Sequence, residues 1–117
     1  MNRSPAHTHA FLDARSLALH QHIAEKLREH PALFQVAQDN LDRWRSTLDP
    51  RSRPAMDEWQ AVLQRGLEAT VALMLDESER GIQLRQSAPF AGVLSHQERW
   101  AFFEQWKRET GGHHEAS

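Results

Sequence analysis

The chain has 117 residues and no cysteine, and that absence removes several classes of protein at once. It excludes a disulfide framework, an iron–sulfur carrier, a thiol nucleophile and a cysteine-ligated zinc centre. Tyrosine is also missing, glycine and proline number five each, and β-branched residues are thinly spread. A sheet covers its faces with β-branched and aromatic side chains, so here it is starved of material. Mean hydropathy is −0.71, and no apolar run approaches the ~20 residues of a membrane helix. Pro5, His7, Thr8 and His9 stand where the apolar stretch of a secretory signal would begin, so the expected compartment is the cytoplasm. Charge of one sign is lacking too: 14 basic residues face 16 acidic ones, for a net charge of −2. With a pI of about 6.4, the chain has no overall basic character of the kind that marks a dedicated nucleic-acid binder.

What is present is helical material. Apolar residues recur at spacings of three and four rather than two, and strong helix formers dominate. Ser4-Pro5 has the form of an N-cap and first helical residue, opening a helix to about His30 with Leu12, Leu19, Ile23 and Leu27 on one stripe. The His30-Pro31 step breaks it. Phe34, Ala37, Leu41, Trp44 and Leu48 then mark one face of a second helix, which predicts a hairpin with the first. Residues 49–54 hold two prolines and read as a loop. Pro54 opens a third helix with Met56, Trp59 and Leu63 inward, and Gly66 permits a stop. The run from Leu67 to Leu75 is the most apolar and should lie centrally.

Two four-residue signals follow. Asp76-Glu77-Ser78-Glu79 has the form of a capping box with Asp76 as N-cap, opening a short helix to about Gln86. Ser95-His96-Gln97-Glu98 is a second such box, opening a last helix that carries Trp100, Phe102, Phe103 and Trp106. Between them, Ser87 to Leu94 reads as an ordered linker containing Pro89 and Gly92. The expected fold is an all-α, single-domain bundle of about five or six helices over residues 1–110, with residues 111–117 as a flexible tail.

Tests for chemistry fail on spacing. Eight histidines invite a metal, yet His7/His9 and His20/His22 are two apart, about 200° around a helix, and cannot close on one ion. No HExxH, G-x-S-x-G, phosphate loop or dinucleotide fingerprint occurs. The acidic run at Asp76, Glu77 and Glu79 lacks the glycine and downstream glutamate of a calcium loop, and the helix dipole accounts for it. We therefore expect no catalytic residue, no metal and no cofactor. Arg43, Arg45, Arg51 and Arg53 are the nearest approach to a basic patch, readable either as a solvated helix end or as a contact for phosphates. Four tryptophans are generous for this length; they serve a core, or Trp100 and Trp106 serve as anchors at a protein interface.

The stretch from Leu84 to Leu94, continued by Ser95 to Trp100, resembles the C-terminal part of small bacterial helical proteins that look like the antitoxin half of toxin–antitoxin pairs. The likeness spans roughly residues 56–106. It implies a non-catalytic protein that binds and silences a cognate toxin, such as a nuclease or a nucleotidyltransferase. No helix-turn-helix or basic recognition helix accompanies it, so control of its own operon is not implied. Phe90, Val93 and Leu94 are too apolar to stay in water and must dock on the chain's own helices or on a partner. On the partner reading, the contact set is Arg85, Pro89, Phe90, Val93, Leu94, Arg99, Trp100 and Phe103. The alternative is a small nucleic-acid-binding regulator acting through Arg43, Arg45, Arg51 and Arg53. The oligomeric state is left open.

Overall fold

The computed structural model describes residues 5–47 and 49–111, with side chains from Ala10 to Thr110. Among these are six α-helices and no strand: α1 Pro5–Glu29, α2 Phe34–Arg45, α3 Arg53–Gln64, α4 Leu67–Met74, α5 Glu79–Arg85 and α6 His96–Trp106. Short 3-10 turns at Pro31–Leu33 and Pro50–Ser52 join α1 to α2 and α2 to α3, and a π turn, Lys107–Gly111, follows α6. The all-α expectation is met. Leu48 and the end of the chain from Gly112, including most of the expected tail, lie outside the described residues.

Proline stands at several of the boundaries. Pro5 begins α1, Pro31 begins the first 3-10 turn, and Pro54 stands in the first turn of α3, where a missing N–H costs nothing. Gly66 separates α3 from α4 with φ of 108°, a left-handed conformation that a side chain would strain. The Ser95–Glu98 capping box forms with both of its reciprocal hydrogen bonds. The earlier box does not form as expected. Ser78 is the N-cap of α5 and accepts from the Gly81 N–H, while Asp76 accepts from the Ser78 N–H at 2.7 Å. Asp76 thus turns the chain ahead of the helix instead of capping it.

Helix α4 is the hub, packing on α1, α3 and α5, while α2 packs on α3. The two N-terminal helices flank the Pro31–Leu33 turn, yet each finds its main partner further along the chain. The core joins Leu19, Ile23 and Leu27 of α1, Leu41 of α2, Met56, Trp59 and Leu63 of α3, Val71 and Met74 of α4, and Leu84 of α5. Leu12 departs from its expected stripe: it is 41% exposed and lines an open groove beside Ile82 and Gln83 of α5.

The linker after α5 completes this core. Pro89, Phe90, Val93 and Leu94 are all buried. Phe90 meets the Trp59 ring edge-on at 5.3 Å and the His20 ring at 6.0 Å, and the Trp59 indole donates to the Leu84 carbonyl at 3.0 Å. Full burial of Phe90, Val93 and Leu94 contributes roughly 1.5–3 kcal/mol each. Their apolar surface is thus spent inside the chain.

Candidate functional site

The expected contact set divides in two. Pro89, Phe90, Val93 and Leu94 belong to the core, which corrects their assignment as partner contacts: a side chain already packed inside cannot offer its surface outside. Arg85 is corrected with them. The residue is 6% exposed, and its guanidinium donates to the carbonyls of Met74 at 3.0 Å and Asp76 at 2.6 Å, at the C-terminal end of α4. A cation there satisfies carbonyls that have no helical partner and meets the negative end of the dipole. Arg85 is a clamp between α5 and α4, not the rim of an interface.

Arg99, Trp100 and Phe103 remain, all on α6. No residue of α6 is buried. Its attachment to α1 is a ladder of paired side chains running in opposite chain directions. Glu98 meets Lys26 at 2.5 Å, Phe102 stacks on His22 at 5.7 Å, Arg15 lies over Phe103 at 5.0 Å, and Trp106 meets Phe11 at 6.2 Å. Arg99 approaches the same Phe103 ring at 5.1 Å, so two guanidinium groups share one aromatic ring. The Glu98 carboxyl is held down to about 2, chiefly by the hydrogen bond from Lys26 and next by the Ser95 backbone N–H. One carboxylate therefore both caps α6 and ties its start to α1. Trp100 stands on the outer side, 66% exposed.

Between α1 and α6 runs a groove of 580 Å³, with Phe102, Trp106 and His22 as aromatic walls and Glu25, Glu98 and Glu109 at its edges. The Phe102 ring lies within 15° of parallel to Trp106 and within 22° of His22. The Trp106 indole N–H is shielded from water and has no acceptor among the described residues.

The arginines considered for nucleic acid are mostly engaged. Arg43 donates to the Asn40 side-chain oxygen, Arg45 faces Asp57 at 3.7 Å, and Arg51 pairs with Asp49 at 2.9 Å. Only Arg53 is exposed without such a partner among the described residues. Interleaved carboxylates leave little net positive field for a phosphate backbone.

Of the remaining titratable groups, His20 is buried and its Nδ1 lies 2.8 Å from the Ser16 carbonyl. Burial pushes its pKa down and the nearby Arg85 charge adds to that, so the neutral ring is favoured. Among the described residues no three His, Asp or Glu side chains gather as a metal site requires. Nor is any described helix long and apolar enough to cross a membrane.

Asn40, Lys26 and His22 carried no signal of their role in the sequence, because each acts on a residue far along the chain. No protein family, characterised protein or solved structure matches this chain.

Proposed function

We propose that this protein is a non-catalytic protein-binding module whose contact face is the outer side of α6, with Trp100 as the anchor and Arg99 and Phe103 beside it. The observation that carries this reading is the 66% exposure of Trp100 on a helix whose first turn is fixed by a complete capping box. Tryptophan and arginine are among the residue types enriched where binding energy concentrates. A capped helix also presents the ring with little ordering left to lose on binding. The partner class follows from the resemblance of the segment from Leu84 to Trp100: a cognate bacterial toxin, neutralised in the cytoplasm.

Co-expression tests this reading. The product of the neighbouring gene should arrest growth alone, and the intact protein should restore it. Trp100→Ala should abolish the rescue while the circular dichroism spectrum and melting temperature stay as they were. An innocuous neighbour, or rescue undiminished by Trp100→Ala, would remove the reading.

A further inference from the structure

We infer that the groove between α1 and α6 is a receptor for an arginine-bearing segment of a partner protein, seated by its guanidinium against Phe102 and Trp106 and between the carboxylates of Glu25 and Glu109. The inference rests on the protein-binding reading above and names the chemistry of what binds.

Charge complementarity selects the occupant. Of the three carboxylates on the groove, Glu98 is neutralised by Lys26, whereas Glu25 and Glu109 have no ion-pair partner among the described residues. Among the described residues no lysine or arginine lines this groove. The walls supply the second half of the match. Phe102 and Trp106 stand within 15° of parallel, and aromatic faces attract a planar cation while tolerating its weak hydration. A guanidinium satisfies both demands at once, stacking through its plane and donating through its edge. An acidic or purely aliphatic segment satisfies neither.

A third observation favours a peptide over a free amine. The Trp106 N–H lacks an acceptor among the described residues although water does not reach it, and an unpaired shielded donor is unfavourable. A backbone carbonyl arriving with the arginine gives the indole an acceptor after a modest adjustment of the wall. The absence of buried residues on α6 leaves room for that adjustment.

The full chain, labelled with nitrogen-15, is titrated with the capped peptide acetyl-Arg-Gly-Arg-amide and with its citrulline counterpart, an isostere without charge. The four indole N–H signals are followed, and Trp106→Phe identifies that of Trp106. The arginine peptide should move the Trp106 signal saturably, and the citrulline peptide should need about tenfold more to match it, the scale of a modest desolvated cation–π and carboxylate contact. Glu25→Gln with Glu109→Gln should weaken the arginine response about fivefold or more with an unchanged melting temperature. Equal responses to the two peptides, no saturable movement into the millimolar range, or an undiminished response in the double variant would overturn the inference. Trp100 does not line the groove. A failed titration beside a Trp100-dependent rescue would thus reject the groove alone, and the converse would reject the outer face alone.

Discussion

The side chain of Asn40 on α2 donates to the carbonyl of Pro89 at 2.8 Å, bridging 49 residues of sequence, and the same nitrogen reaches the Ala91 carbonyl at 2.9 Å. Its oxygen in turn accepts from Arg43. One buried carboxamide thereby holds both carbonyls flanking Phe90, and it keeps the linker seated on the core. Asn40→Ala removes both donors at once and leaves two backbone acceptors unpaired, at about 1–3 kcal/mol for a buried group. Asn40→Asp should be at least as damaging, because a carboxylate cannot donate. Urea unfolding measures the loss; a change below about 0.5 kcal/mol would mean that the linker holds without Asn40.

Phe90 and Trp100 lie ten residues apart and should respond in opposite ways. Phe90→Ala opens a cavity against Trp59 and His20 and should lower stability by about 3–5 kcal/mol. Trp100→Ala removes an exposed ring and should stay within about 0.5 kcal/mol of the intact protein. Melting temperatures of the two variants decide the matter, and a large loss in Trp100→Ala would place that ring in the core.

Acid should destabilise the fold in two stages. Burial lowers the His20 pKa from its ordinary 6.5, so between that value and the lower folded value the unfolded chain binds more protons. Stability is full above pH 6.5 and falls as pH drops below it. The Glu98 carboxyl, lowered from 4.5 to about 2 by Lys26 and Ser95, contributes above pH 4.5 and loses that contribution on the way down to 2. Denaturant midpoints measured against pH should show both falls. His20→Gln should flatten the first and Glu98→Gln the second, and an unaltered profile in either variant would remove that group as the cause.

Gly81 on α5 has no room for a side chain. A Cβ built there falls 2.1 Å from the Asp76 carbonyl oxygen, a backbone atom that cannot swing aside. Gly81→Ala should therefore displace the start of α5 and destabilise by roughly 1–3 kcal/mol or more, despite alanine's better helix propensity. Gly66→Ala meets nothing within 4 Å, and only its φ of 108° opposes it. Comparing the two by thermal unfolding separates a steric clash from backbone strain, and a neutral Gly81→Ala would show that the turn before α5 yields.

Much of the fold was legible in the chain because helix formation is local. The prolines, Gly66, the Ser95–Glu98 box and the spacing of Leu19, Ile23 and Leu27 act within a turn or two of themselves, and α1 to α6 appear where those signals lie. The misplaced cap at Asp76 shows the limit even there. Asp76 and Ser78 can both accept from a backbone N–H, and the geometry of the turn gave the helix to Ser78. The candidate site was harder to read. Phe90 and Trp100 look equivalent in a sequence, both being large aromatics near a capping box.

Composition and periodicity by themselves determined that this chain is all-helical and roughly where its helices lie. The neighbours of each apolar face were decided only by tertiary packing. Phe90 is interior because Asn40, Trp59 and His20 converge on it from α2, α3 and α1. Arg85 is buried because the carbonyls ending α4 meet its guanidinium. Trp100 stays outside because α1 takes the opposite side of α6 through Phe102 and Trp106. Hydrogen bonds within a helix join residues four apart and so leave a mark in local sequence, whereas these contacts join residues that only the closed chain brings within reach.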